Sequence, residues 1–398
     1  MKEQERLALS ASLEENVREN ILPYWIDRMT DPAGGFYGRR DGNDRLDSGA
    51  PKGAILNARI LWTFSAAARR WPDAPEYREA SDRAYRYIVD YFIDRVHGGV
   101  FWSLDADGTP RDTKKQFYAI AFTIYGLSEY YALTGSESAL REAMDLFRAI
   151  ETHSREFVHN GYLEAATRDW QPIQDMRLSE KDANSSKTMN THLHIIEAYT
   201  ALLRVSDDGE VREATRNLLE VFLDRIYVER TGHFGLFFDD EWNLLDDTFS
   251  YGHDIEGSWL LLETARVLGE PELTRRTLEV TGRLALGALD GRRSDGSLIY
   301  ERHADGTYDE DRHWWVQAEC MVGLSYLAVF HAHPECYGEI ARVWQYCREY
   351  LVDFEEGEWS WSRRADGSVN RDEDKAGFWK CPYHNTRACL ETARILRV

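Results

Sequence analysis

The sequence predicts an all-α fold: an (α/α)6 barrel of six helical hairpins, with short β-hairpin or loop segments between the repeats. Three observations lead there. Short Gly-plus-aromatic segments recur about 60 to 70 residues apart: GGFYGRRDGND from 34, GGVFWSLDADG from 98, NGYLEAATRDW from 160, TGHFGLFFDDEW from 231, DGSLIYERHADG from 295 and EGEWSWSRRADG from 356. Two helical patterns lie between successive segments, with apolar residues at i, i+3, i+4 and i+7. The two patterns of a pair differ in character, the first rich in small and apolar residues and the second in charge.

Each Gly/aromatic segment alternates apolar and polar residues around Gly, Asn and Asp, as a hairpin or extended loop does. The first helix pair reads AILNARILWTFSAAARRW then PEYREASDRAYRYIVDYFIDRV. Pro, Asp and Ser gather at helix starts, as in DAPEY, DANSSK and AHPECY, which suits N-capping. Helices such as AIAFTIYGLSEYYAL and CMVGLSYLAVF belong to an inner ring, and LREAMDLFRAI and EVREATRNLLEVFLDRI to an outer one. Six pairs at near-constant spacing, with no atypical terminal repeat, favour closure over an open solenoid. No linker or break in composition divides the chain, so residues 1–398 form one catalytic domain. At 46.2 kDa the chain exceeds the usual size of a single core, which repeats sharing that core resolve.

Composition excludes several functions. A net charge of −21 repels phosphate backbones and anionic membranes, which argues against a nucleic-acid or membrane partner. No apolar run is long enough to span a bilayer, and MKEQERLALSASLEENVREN carries no secretion signal, so a cytoplasmic enzyme is expected, with a monomer the favoured assembly. The five cysteines lie in the last fifth of the chain without CxxC spacing and read as buried thiols. Thirteen Trp and 21 Tyr suit a pocket that stacks on sugars.

Near the first turns of the six inner helices stand Arg59, Tyr118, His192, His253, Trp315 and His384, one from each repeat. Side chains in one register of six inward helices form a polar ring at one mouth of the barrel. His192 and His194 are two apart and point to nearly opposite sides, so only one faces the cavity, and register favours His192. Glu256 follows His253 on the same face, Glu319 follows Trp315, and Trp379 lies on the approach to His384. Such a site suits proton abstraction next to a carbonyl. One His removes the proton, another returns it to the opposite face, and Arg with Tyr stabilises the enediolate between. In an aldose that event at C2 is epimerisation, and a further acid/base group opens the pyranose ring. A His base near its reference pKa of about 6.5 makes the rate fall below about pH 6. Three rivals remain: an inverting glycoside hydrolase with two opposed carboxyls, a metal site built from His192, His253, Glu256 and His384 but lacking HxxxH or HExxH spacing, and a non-catalytic sugar-binding module.

The motifs KGAILNARILWTFSAA, KQFYAIAF, KTMNTHLHIIEAYTALLR, YGHDIEGSWLLLETA, WWVQAE and WKCPYHNTRACLE closely resemble those of the cellobiose 2-epimerases, within the N-acylglucosamine 2-epimerase superfamily. The resemblance spans all six inner helices. It implies an (α/α)6 barrel that acts on the reducing-end aldose of β-1,4-linked disaccharides without a cofactor and without a metal, aldose–ketose isomerisation being the alternative within the superfamily. Carried across by position, it implies His253 and His384 as the acid/base pair at C2 and His192 in ring opening. Arg59, Tyr118 and Asn190 would hold the C1 and C2 oxygens, Glu256 and Glu319 would hold hydroxyls or orient His, and Trp315 and Trp379 would stack on sugar. Gly257 stands where Ala is more usual. The polar loops RLSEKDAN and RRDGNDRLDSGAP are long enough to cover the pocket.

Overall fold

The computed structural model describes residues 1–180 and 182–397. In chain order its α-helices are α1 (Glu3–Asn16), α2 (Leu22–Met29), α3 (Ala54–Arg70), α4 (Pro75–Tyr87), α5 (Phe117–Thr134), α6 (Glu137–His153), α7 (Met189–Ser206), α8 (Gly209–Val221), α9 (Tyr251–Leu268), α10 (Pro271–Ala288), α11 (Trp314–Phe330), α12 (Cys336–Tyr346) and α13 (Tyr383–Leu396). Helices α3, α5, α7, α9, α11 and α13 pack side by side in that order, and α13 returns to α3. The ring is closed, as the repeat predicts.

The inner ring is buried on nearly every side, so its helices are apolar all round, as in WWVQAECMVGLSYLAVF of α11. Small residues let these helices approach: a Cβ on Gly126 of α5 would meet the Ala58 carbonyl at 2.7 Å, and one on Gly323 of α11 would meet Ile255 at 2.4 Å. The outer helices bury one stripe only. In α10 that stripe is Leu273, Thr277, Thr281, Leu284 and Ala288, at helical spacing.

The six pairs are not six consecutive hairpins. Outer helices α4, α6, α8, α10 and α12 each pack on the inner helix before them, but α13 is covered by α1 from the opposite end of the chain. Ser10 donates to the Ala393 carbonyl at 3.0 Å, and Trp359 Nε1 to Asn16 Oδ1 at 2.9 Å. The charged amino terminus is therefore the outer partner of the last repeat, a pairing that no local pattern announces.

A second ring repeats the closure in extended backbone. The residues before each inner helix pair with the Gly/aromatic segment of the following repeat: Lys52–Gly53 with Ser103–Leu104, Lys115–Gln116 with Ala165–Ala166, Lys187–Thr188 with Phe237–Phe238, Phe249–Ser250 with Glu301–Arg302, and Arg312–His313 with Ser362–Arg363. The sixth link joins the ends, since Arg40 N–H donates to the Ala376 carbonyl at 2.7 Å. In the loop RLSEKDAN, Lys181 lies outside the described residues. Its start is fastened to α5 by the Gln116 amide, which donates to the carbonyls of Met176 and Arg177 at 3.2 and 2.9 Å.

Ion pairs made by buried lysines mark these junctions. Lys52 meets Asp31 at 2.6 Å, Lys115 meets Asp94 at 2.9 Å, Lys187 meets Glu156 at 3.0 Å and Lys380 meets Glu358 at 2.7 Å. All four lysines also lie over an aromatic ring: Tyr87 for Lys52, Phe101 and Trp170 for Lys115, Trp242 for Lys187 and Trp314 for Lys380. Each pair ties the strand before an inner helix, or the turn into it, to the segment that precedes it.

Removing one partner of such a pair leaves a buried charge unanswered. Lys52→Met is expected to destabilise the fold by about 3 to 5 kcal/mol, read as a lower urea midpoint, and Asp31→Leu added to it should recover part of the loss. An unchanged midpoint for Lys52→Met would contradict the role given to the pair.

Candidate active site

The N-terminal halves of the inner helices bring Arg59, Tyr118, Asn190, His253, Trp315 and His384 to one end of the barrel. Arg59 Nη2 donates to the Tyr118 hydroxyl at 2.8 Å, and its guanidinium lies 4.1 Å from the centre of the Phe122 ring. Trp315 stands against both imidazoles, 4.8 Å from His253 and 5.7 Å from His384 between ring centres. Trp379 adjoins Tyr118 and Trp102, at 6.1 and 6.0 Å. His253, Trp315, Trp379 and Asn190 keep part of their surface open, while Arg59, Tyr118 and His384 are buried. Arg59 Nε, Asn190 Oδ1 and His253 Nδ1 are buried atoms without a protein partner. Native interiors seldom leave such groups bare, and a polyhydroxylated ligand would satisfy them.

One turn deeper lies a layer of charge that sequence reading did not assemble. Arg387 Nη2 donates to Glu256 at 2.8 Å and to Glu319 at 2.7 Å, and its Nη1 bonds Glu197 and the Tyr383 hydroxyl. Glu319 also accepts from His384 Nδ1 at 2.7 Å and from Trp259 Nε1 at 3.0 Å, and Glu197 from His194 Nδ1 at 2.8 Å. Burial would raise all three carboxyls. For Glu197 it is outweighed by Arg387 and His194, which hold it at about 2, and for Glu319 by Arg387 and His384, which hold it below the usual range. Glu256 has only a share of one guanidinium nitrogen, and burial beside Glu319 pushes it well up, so of the two it holds a proton the more tightly.

The same burial acts on the imidazoles in the other direction. His253 is lowered to about 3 by burial and then by the neighbouring His194 and His384. His384 is lowered to about 3 by burial, against the pull of Glu319. Both rings are neutral at pH 7. Because Nδ1–H of His384 donates to Glu319, its Nε2 carries the lone pair and can take a proton. The acid limb expected at about pH 6 from free imidazole therefore moves lower.

His192 does not face the cavity. Its Nε2 accepts from the Tyr162 N–H at 2.9 Å and its Nδ1 lies 2.6 Å from the Thr188 carbonyl, so both ring nitrogens are spent on backbone. It is the fourth residue of α7, and the fourth residues of α9 and α11 do the same work. Asp254 accepts from Phe234 N–H at 2.9 Å and Gln317 from Leu298 N–H at 2.9 Å, each fastening its helix to the adjoining hairpin. His194, the member of the pair set aside, meets the site: its ring lies 4.9 Å from Tyr118 and 4.6 Å from Phe122. The register argument failed because α3 and α7 present Arg59 and His194 from their sixth residues, one turn further along than the second or third residues that α5, α9, α11 and α13 present. A better signal was the shared spacing of His194 to Glu197, His253 to Glu256 and His384 to Arg387, three residues in each case.

Glu256, Glu319 and His384 lie close enough together to hold a metal ion. The Arg387 guanidinium already supplies positive charge to the same two glutamate oxygens, which makes the trio a poor cation site. At Gly257 a Cβ would stand 2.2 Å from the Phe234 ring, so that ring takes the space an Ala methyl would need. A cavity of about 1020 Å³ opens at the opposite end of the barrel, where Arg69, Arg204 and Arg394 pair with Glu129, Glu263 and Glu391. These arginines sit in or near the last turns of inner helices and offset their dipoles, and the imidazoles do not line that cavity. Glu197, Trp259 and Arg387 form its floor, so the charged layer separates the two ends.

Known proteins agree with this architecture. A family model described as N-acylglucosamine 2-epimerase matches residues 35–388. The chain is 51% identical to the cellobiose 2-epimerase of Bacteroides fragilis over 385 residues, 96% of this chain and 98% of that one. The solved cellobiose 2-epimerase of Bacillus thermoamylovorans B4167 has a TM-score of 0.93 at 36% identity, covering 97% of this chain and 99% of that chain. A solved D-mannose isomerase, at 21% identity and a TM-score of 0.84 over 97% and 98%, shares the fold. No described helix is long and apolar enough to cross a membrane. The chain is an enzyme of the N-acylglucosamine 2-epimerase family and belongs among its cellobiose 2-epimerases.

Proposed function

We propose that the enzyme inverts C2 of the reducing-end aldose of β-1,4-linked disaccharides, cellobiose among them, without a cofactor. The observation that carries this reading is the pair of neutral imidazoles, His253 and His384, both packed against Trp315 at the end of the barrel that holds the Arg59–Tyr118 hydrogen bond. His194, held by Glu197, assists opening of the pyranose ring in the place first given to His192. One of the two imidazoles then takes the C2 proton, and the released electron pair forms the C1–C2 enediolate. Arg59, Tyr118 and Asn190 hold its two oxygens, and charge there is stabilised by donors already in place. The other imidazole, which carries a proton on its sugar-facing nitrogen while the first is bare, returns that proton to the opposite face of C2, and the ring closes. Trp315 and Trp379 supply apolar faces for the sugar rings. Aldose–ketose isomerisation shares the enediolate and differs only in returning the proton to C1, so the product decides between them.

Incubation with cellobiose in deuterated water, followed by proton NMR, should show an intact disaccharide whose reducing unit becomes mannose with deuterium at C2. Free monosaccharide would indicate hydrolysis, and a fructose unit as main product would indicate the isomerase. His253→Ala and His384→Ala should each lower C2 exchange in at least one direction by about 100-fold or more with the fold intact, and full activity in either would refute its assignment.

Two further outcomes separate this account from the sequence-based expectation. His194→Ala should lower kcat in a stable protein, whereas His192→Leu strands the Tyr162 N–H and should cost about 1 to 3 kcal/mol of stability while the folded fraction keeps its activity. The reverse pattern would restore His192 to the site. Protonation silences an imidazole base, so activity is lost as pH falls through its lowered pKa. The acid limb of kcat/KM should therefore lie below the free-imidazole value of about 6.5, and a limb at or above that value would contradict the burial effect.

A further inference from the structure

We infer that Arg387 is a positioning residue for the acid/base histidines, acting through Glu319 on His384 and through Glu197 on His194 rather than on the sugar. The inference rests on the epimerase reading of the site. Both Nη atoms are spent within the protein, Nη1 on Glu197 and Tyr383 and Nη2 on Glu256 and Glu319, while Nε is buried without a partner, and the Trp259 and Tyr383 rings lie 4.7 and 4.3 Å from the guanidinium carbon.

The groups facing it come from the whole ring. Helix α7 supplies Glu197, α9 supplies Glu256 and Trp259, α11 supplies Glu319, and α13 supplies Tyr383 and Arg387 itself. From α5 and α3 come Tyr125 and Trp62, stacked at 5.4 Å, with Trp62 edge-on to Tyr383. Three carboxyls thus share one guanidinium. Arg59, the other buried cation close by, is committed to Tyr118 one layer away.

The consequence for the chemistry is a matter of tautomers. While Glu319 and Glu197 are ionised they can only accept, so His384 and His194 must donate from Nδ1 and keep a lone pair on Nε2. Without Arg387 these carboxyls hold protons more tightly. A protonated carboxyl donates to Nδ1 instead, which drives the ring proton onto Nε2, the nitrogen the reaction needs bare. The planar fork of arginine matters here, because its two Nη atoms reach different glutamates and a lysine ammonium is a single point of charge.

The opposite cavity makes the idea testable without disturbing the sugar site, since Arg387 lines that cavity. Arg387→Ala should lower kcat by about 10- to 100-fold with KM changed far less, and the acid limb of kcat/KM should move to higher pH as the freed glutamates titrate. Guanidinium added at non-denaturing concentration should restore part of kcat, and the disaccharide should not compete with it. Arg387→Lys keeps one contact and should fall between, so it carries the test if the Ala variant does not fold. The inference is overturned if a folded variant keeps wild-type kcat and pH profile. It is equally overturned if kcat falls with an unmoved profile and no rescue, as a purely structural arginine would behave. A wild-type chain without C2 exchange would instead refute the proposed function itself.

Discussion

One buried guanidinium must answer three buried carboxyls at the axis of the barrel, and the arrangement of the pocket depends on how that charge is divided. Arg387 gives its strongest hold to Glu197 and Glu319, which also receive a histidine each, and leaves Glu256 as the carboxyl that holds a proton most tightly. An ion cluster of this kind is costly to bury, and it persists because every ionised oxygen has a donor. Its return is geometric: two imidazoles whose rings cannot rotate and whose tautomer is set from below. In the proposed reaction these are the groups that must present a bare nitrogen at a defined place.

The rest of the fold holds that layer still. Six inner helices converge on it, the extended segments at their starts link each repeat to the next, and buried Lys–carboxylate pairs fasten four of those junctions. The pattern lapses at Phe249 and Arg312, and at the first another contact replaces it: the Phe249 ring stacks on His233 at 3.6 Å, and His233 bonds Asp254 at 2.7 Å. The closure of the ring by α1 and by the Arg40–Ala376 link means that α1 and α13, far apart in sequence, share one structural unit.

Much of this was legible in the sequence because repeats advertise themselves. The recurring Gly/aromatic segments and the contrast between apolar and charged helices led to a closed ring, and Arg59, Tyr118, His253, Trp315 and His384 do converge at one end. Closure through the amino terminus was not legible, since α1 pairs with α13 across the whole chain and leaves no local trace. His192 was misplaced because first-turn register assumes that all six helices enter the ring at one height. Arg387 and Glu197 went unnoticed because each looks like an ordinary charge on a helix until the opposing carboxyls are brought within 3 Å of the guanidinium.

The central claim, that burial keeps the histidines neutral while glutamates anchored by arginine keep Nε2 bare, is read most directly by nitrogen-15 NMR of the histidine-labelled enzyme across pH 5 to 8. The account predicts that His384 shows protonated Nδ1 and unprotonated Nε2 throughout that range, and that His194 shows the same tautomer at pH 7 and above. An imidazolium signal at pH 7, or the opposite tautomer for His384, would contradict it.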